Sequence, residues 1–272
     1  MKKTIIALSI MVLTLVLLAV AKTNAEKPAE KNRAIKIERA TPENPVVYLG
    51  KNFDKKSGQE VEGYAIVHFA RNDNKPAKPN KPGGATCYGY IAKGAKWRSV
   101  EPWVLDSTYT GGLDVNYLLA NLSGDIAKWE DATDGTVGNS AGVNVLGDGS
   151  LSGAVAAGTL NGQNEVTFAP IQNQGVIAVT YLWGVWGGAA ANRQIVEWDQ
   201  VYNTAYAWSD SGAAGQMDFE NIATHELGHA FGMDDLYTSA CNQETMYGYA
   251  DYAETNKRDL NSGDITGINL LY

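Results

Sequence analysis

Apolar residues recur at spacings of three and four through one long stretch, at Val115, Leu118, Leu119, Leu122, Ile126 and Trp129. That period predicts an amphipathic helix lying on a core. A second helix is expected to begin near Asp218, an N-cap residue with Glu220 in the favourable first turn. It runs through Phe219, Ile222, Leu227 and Phe231 until Gly232 stops it. Between the two, short apolar or alternating runs at residues 143–146, 165–170, 176–182 and 194–202 are separated by Gly, Asn and Asp clusters and predict strands. Residues 64–69 give one more strand signal nearer the start. Helix, strands and helix assemble most simply as an α/β sandwich, and no internal repeat interrupts it.

Composition divides the chain. Six of the eight prolines lie between Pro28 and Pro82, and the stretch KPAKPNKPGG at residues 75–84 has the make-up of an exposed, semi-extended linker. A boundary is placed there, with residues 26–84 as a pro-region or accessory segment and residues 85–272 as the principal domain. His68, inside the strand at 64–69, is expected to be a packed or half-exposed histidine rather than a metal ligand. The first residues have the layout of a signal peptide: Lys2 and Lys3, an apolar run from Ile5 to Val20, then small residues at Ala19, Ala21 and Ala25. Cleavage near Ala21 or Ala25 sends the chain out of the cell; an uncleaved run would anchor it instead.

A formal charge of −8 speaks against a nucleic-acid partner. The charge is uneven. Residues 26–84 hold twelve Lys/Arg against eight Asp/Glu, whereas residues 85–272 hold seven against twenty-two. Two readings stand: a solvated acidic surface with calcium sites, or a basic pro-segment docked on an acidic domain. Two cysteines, Cys87 and Cys241, follow the leader, and outside the cell such a pair favours a disulfide over free thiols.

The chemistry concentrates in HELGHAFGMDDL, residues 225–236, on the second predicted helix. Four residues along a helix advance about 400°, so His225 and His229 project from one face and can share a tetrahedral Zn²⁺. A catalytic zinc site normally takes three protein ligands. Gly232 can adopt the left-handed conformation that turns the chain back under the helix, and Asp235, three residues on, then reaches the metal. Asp234 is its nearest competitor. Glu226, between the histidines, is placed as general base toward the water the metal activates.

At these residues the chain resembles the metzincin superfamily of secreted zinc proteases, and the matrixin-like members in particular. Their signature is HExxHxxGxxH followed by a methionine turn. Asp235 replaces the third histidine, as in the snapalysin-like proteases. Thr245-Met246-Tyr247-Gly248 is similar to the methionine turn, with Met246 as an apolar floor, and LNSGDITGINLLY, residues 260–272, is similar to the terminal helix of matrixin domains. The resemblance implies a metzincin-like α/β fold: a twisted, mainly parallel sheet, two long helices and a small C-terminal subdomain. It further implies zinc-dependent cleavage of protein or peptide substrates by a monomer. Substrate is expected to lie extended along the edge strand, and residues 247–252 to wall the pocket for the side chain after the cut. Tyr247 and Tyr249 are candidates for oxyanion support. The matrixin structural zinc would need histidines this chain lacks, so structural Ca²⁺ is the expectation, with Asp148 one candidate ligand. The matrixin latency sequence around a pro-region cysteine is not matched by Cys87 in ATCYGY. Two other classes remain open, a non-catalytic exported metal-binding or surface protein and a zinc hydrolase of small amides or esters.

Overall fold

The computed structural model describes residues 34–71 and 86–272, which lie in one compact unit, Asn32–Tyr272. The expected leader and the linker at 75–84 fall outside the described residues. No helix among the described residues is long and apolar enough to cross a membrane.

The first predicted helix is α1, Val115–Asp131, capped by the Asp114 carboxylate, which accepts from the amides of Asn116 and Tyr117 at 3.0 and 2.9 Å. Its buried stripe is Leu118, Leu122, Ile126 and Trp129. The second is α2, Phe219–Ala230, and a third, α3, spans Ser262–Leu271. The strands are β1 Val46–Asp54, β2 Gln59–Ala70, β3 Glu101–Asp106, β4 Leu146–Ser152, β5 Asn164–Ala169, β6 Val176–Val185 and β7 Gln194–Asn203; short pieces β8 Trp208–Ser209, β9 Met217–Asp218 and β10 Tyr249–Ala250 complete the set.

The sheet is mixed, in the order β1-β2-β6-β7-β5-β3-β4. From β4 through β3 and β5 to β7 all pairings are parallel; β6 then runs antiparallel to β7. This is the α/β architecture expected, with a parallel half that the connecting helix α1 makes possible. One strand is displaced from its predicted place. The apolar signal at 143–146 lies just before β4, which carries the polar sequence LGDGSLS. Trp103 explains Gly149, where a Cβ would meet its ring at 2.2 Å, and the backbone of Glu101 and Pro102 crowds Gly147.

The sheet also crosses the boundary drawn at the proline-rich stretch. Residues 46–70, assigned from composition to a segment apart, form its other end: β2 pairs antiparallel with β6, from Glu62 opposite Gly184 to Phe69 opposite Val176, and β1 pairs antiparallel with β2. The physical reason lies in β2 itself, whose side chains are apolar on both faces. Ile66 joins the helix-side core with Leu105, Ala178, Leu182, Trp198, Leu118 and Leu227. Val61, Ala65, Val67 and Phe69 join a second cluster on the opposite face with Val179, Tyr181, Trp183, Val201, Val47 and Ile37. A strand buried on both faces needs neighbours on both.

Cys87 and Cys241 form a disulfide, as expected from their number. It closes a loop of sequence separation 154 and ties the segment after the linker to the chain beneath α2. In the chain-entropy account a loop of that size contributes about 5 kcal/mol.

Candidate metal centre

Helix α2 is anchored at its start before it carries anything chemical. Asp218 caps it, accepting from the Asn221 amide at 3.0 Å, and its carboxylate is also gripped by the Arg258 guanidinium. Every residue of α2 but Glu220 is buried. His225 and His229 project one turn apart, their ring centroids 4.9 Å from each other and their planes nearly perpendicular.

The helix ends as the glycine signal requires. Gly232 has φ +101°, and the amides of Gly232 and Met233 fold back onto the carbonyls of His229 and Gly228. The chain then returns under the helix and delivers Asp235, whose Oδ1 lies 3.2 Å from His225 Nε2 and 3.5 Å from His229 Nε2. Asp234 points elsewhere; its Oδ1 accepts from the Asp235 amide at 3.0 Å.

Both imidazoles are oriented from behind. His225 Nδ1 donates to the Thr245 carbonyl at 2.7 Å and His229 Nδ1 to the Met233 carbonyl at 3.0 Å, which leaves the lone pair on each Nε2. His225 Nε2, His229 Nε2 and Asp235 Oδ1 are buried without a hydrogen bond, and together they form a group able to hold a metal ion. Buried polar atoms are seldom left unpaired, so the donor set, two nitrogens and one carboxylate oxygen, fits Zn²⁺. Met246, fully buried, lies under α2, and the Asp264 carboxylate at the start of α3 holds its turn by accepting from the amides of Thr245 and Met246 at 2.7 and 3.1 Å.

Glu226 faces the same space from the sheet side. Thr180 Oγ1 on β6 donates to its Oε2 at 2.6 Å. Its Oε1 shares a 2.9 Å hydrogen bond with His68 Nδ1. His68 is packed, the first of the two states expected for it, but it is packed at the site: strand alternation turns it toward α2, its ring centroid lies 4.1 Å from that of His225, and His68, His225 and Glu226 form a second group able to hold a metal ion, which the reading of His68 as no ligand did not anticipate. His68 Nε2 is likewise buried and unpaired. With three histidines in the whole chain, one inside an apolar strand, the composition held a hint of this.

Electrostatics follow from burial. Burial, then the Lys257 ammonium, push His68 down to about 3, and burial, then His68, push His225 down to about 4. Burial raises the Glu226 carboxyl. Burial also acts to raise Asp235, but His229 and His225 outweigh it and hold that carboxyl well below the usual range. Asp235 is therefore held as an anion.

The two tyrosines proposed for oxyanion support occupy the wall beyond the metal group. Tyr249 packs its ring 5.2 Å from Tyr237 and 5.8 Å from Tyr247, and Lys257 Nζ stands 5.8 Å over the Tyr247 ring. The tyrosine that bonds the site is Tyr237, which sequence reasoning missed: its hydroxyl donates to Asp235 Oδ2 at 2.8 Å. Asp148 is exposed on β4 and joins neither of the two metal-competent groups among the described residues.

Residues 163–272 match the family model of the matrixins, Peptidase_M10. No curated protein matches the chain at a significant level. Among solved structures, metalloproteinase-II from Bacteroides fragilis is similar over 85% of this chain and 80% of that one, at 10% identity and a TM-score of 0.36. The matrixin match covers β5 through α3, the part that holds α2, the returning Asp235 and the turn of Met246. Over those residues the chain is similar to the matrixins.

Proposed function

We propose that the protein is an exported zinc endopeptidase in which His225, His229 and Asp235 hold the metal and Glu226 is the general base. The observation that carries this reading is the convergence of three buried, unpaired ligand atoms beside a buried carboxylate. Bound there, zinc supplies Lewis-acid polarisation of a scissile carbonyl and lowers the pKa of water. The protein's own groups do the remaining work. Thr180 aims Glu226, a carboxyl that burial raises, to take a proton and return it to the leaving amine. The carbonyls of Thr245 and Met233 keep the imidazoles in the ligating tautomer. A peptide substrate is read by backbone pairing along β6. The leader-like first 25 residues support export, with cleavage near Ala21 or Ala25, and the protein works as a monomer without nucleic-acid or stable membrane partners.

Zinc content and casein hydrolysis, measured together on the intact chain and on a form cut between residues 71 and 86, test this. Glu226→Gln should retain zinc and lose activity by roughly 100- to 10,000-fold. Asp235→Ala should lose zinc affinity by more than the roughly 10- to 100-fold that removal of a supporting group costs. Undiminished hydrolysis by Glu226→Gln would end the assignment of the base.

A further inference from the structure

The endopeptidase reading places a scissile carbonyl beside Glu226 and the metal ligands, and the side chains flanking the cut must then find room around that group. One boundary of the room is the chain that follows Met246. It is fastened to the site at two points: the Thr245 carbonyl orients His225, and Leu236, next to Asp235, bridges in parallel with Tyr247. Behind this wall, between it and the first half of α2, lies a lysine. The Lys257 amide donates to Asn221 Oδ1 of α2 at 2.8 Å, while its ammonium donates to the Tyr249 carbonyl in the wall and stands 5.8 Å over the Tyr247 ring. The side chain thus spans from helix to wall and ends beside the reaction space. After burial, its charge is the next cause that holds His68 low, and the His68 ring lies 4.1 Å from that of His225.

Lysine is almost never fully buried unless paired, and this one has no exposed surface. Among the described residues its carboxylate partner is Glu254, at 3.2 Å. That counterion is loosely held. It is partly exposed, its other oxygen accepts from the Asp251 amide at 3.0 Å, and it follows Ala253, whose φ of +58° is a conformation that favours glycine. Beside Lys257, Asn221 Nδ2 is a buried donor without a partner. An ammonium offers three donors, so the space behind Tyr247 and Tyr249 holds more donors than acceptors.

Resting on the reading above, we propose that Lys257 determines specificity: the side chain after the cut enters between Tyr247, Tyr249 and α2, and the protein cleaves before Asp or Glu. A carboxylate there gives the buried ammonium a second anionic partner through charge-assisted hydrogen bonds. An uncharged side chain of the same shape leaves that donor unmatched in a site closed to water. The field of the surface does not supply this preference, because residues 85–272 hold seven Lys/Arg against twenty-two Asp/Glu and repel anionic peptides. The selectivity is local to Lys257.

The test compares labelled peptides that differ only in the residue after the cut, Glu, Gln, Leu or Lys, on the zinc-loaded chain, intact and cut between residues 71 and 86. The kcat/KM for Glu should exceed that for Gln by roughly 10- to 100-fold, the range of a hydrogen bond to a charged group. The ratio should fall toward one in Lys257→Met, which keeps the length of the side chain and loses its charge, and Lys257→Arg should restore most of it. Glu254→Gln should widen the ratio by removing the competing carboxylate. Circular dichroism and zinc content establish that each variant is folded. Equal kcat/KM for Glu and Gln in the wild-type chain overturns the proposal without recourse to any variant and leaves the peptidase reading standing, as does an undiminished ratio in folded Lys257→Met. Binding of the peptides in the order Glu over Gln, measured by fluorescence anisotropy and accompanied by no hydrolysis, supports the pocket and removes the peptidase reading instead.

Discussion

At the scale of single residues the site is built in two tiers, and they differ in how openly the sequence displays them. His225, Glu226 and His229 follow from helical spacing alone, and Asp235 from the glycine that ends the helix; the structure brings all four together as that spacing requires. His68 and Tyr237 were not legible. Their place depends on which strand neighbours β6 and on how the chain returns beneath α2, and both are tertiary facts with no local periodicity behind them. Tyr237 gives a prediction of its own. Its hydroxyl donates to Asp235 Oδ2, fixing the carboxylate so that Oδ1 faces the histidines. Tyr237→Phe keeps the ring against Tyr249 and removes only that bond. Zinc affinity, measured by competition with a chelator, should fall by roughly 10- to 100-fold, as for other groups that orient a ligand. Thermal stability without metal should change little, and an unchanged zinc affinity would show that Asp235 is oriented by the backbone alone.

At the scale of elements, the decisive fit is between α2 and the turn of Met246. Gly228 lies on the helix face between the two histidines, and a Cβ there would stand 2.2 Å from Met246 Sδ and 2.8 Å from the Trp129 ring. The helix can approach α1 and the turn this closely only because that position has no side chain. Gly228→Ala should therefore destabilise by about 1–3 kcal/mol through overpacking, less about 1 kcal/mol from better helix propensity. It should also weaken zinc binding, since the same turn carries the carbonyl that orients His225. Urea unfolding and zinc titration of the variant check both, and a variant more stable than wild type would show that Met246 moves aside freely. Elements with strong periodicity, α1 and α2 above all, were readable with their caps. Strands whose pattern is set by a partner were not: β4 carries Gly147 and Gly149 because the backbone and the Trp103 ring of β3 lie against them, and β1 leaves Val46, Tyr48, Leu49 and Phe53 exposed, so its apolar residues show no clean alternation.

At the scale of the whole molecule, one sheet carries cores on both faces, and burial on that scale leaves ionisable groups in apolar surroundings. Burial pushes Asp125, Glu197 and Asp264 each up to about 7, and raises Asp199 as well. Each is an acid whose folded pKa lies above its unfolded value near 4, so the folded state holds the extra protons. The stability these groups contribute is fully present below that unfolded value and is lost as pH rises through about 7. Buried His68 and His225 act in the opposite sense, because unfolded imidazoles bind protons below about 6.5 that the folded chain does not, so their penalty disappears as pH rises to that value. Above it the raised carboxylates still titrate. The metal-free protein should accordingly lose stability between about pH 6.5 and about pH 8, seen as a falling urea midpoint at constant salt. Glu197 supplies a way to assign the effect, since its carboxylate accepts from the amides of Asn161 and Gly162 far from the metal group. Glu197→Gln should flatten the decline without altering zinc affinity, and a decline as steep as in wild type would place its cause outside Glu197.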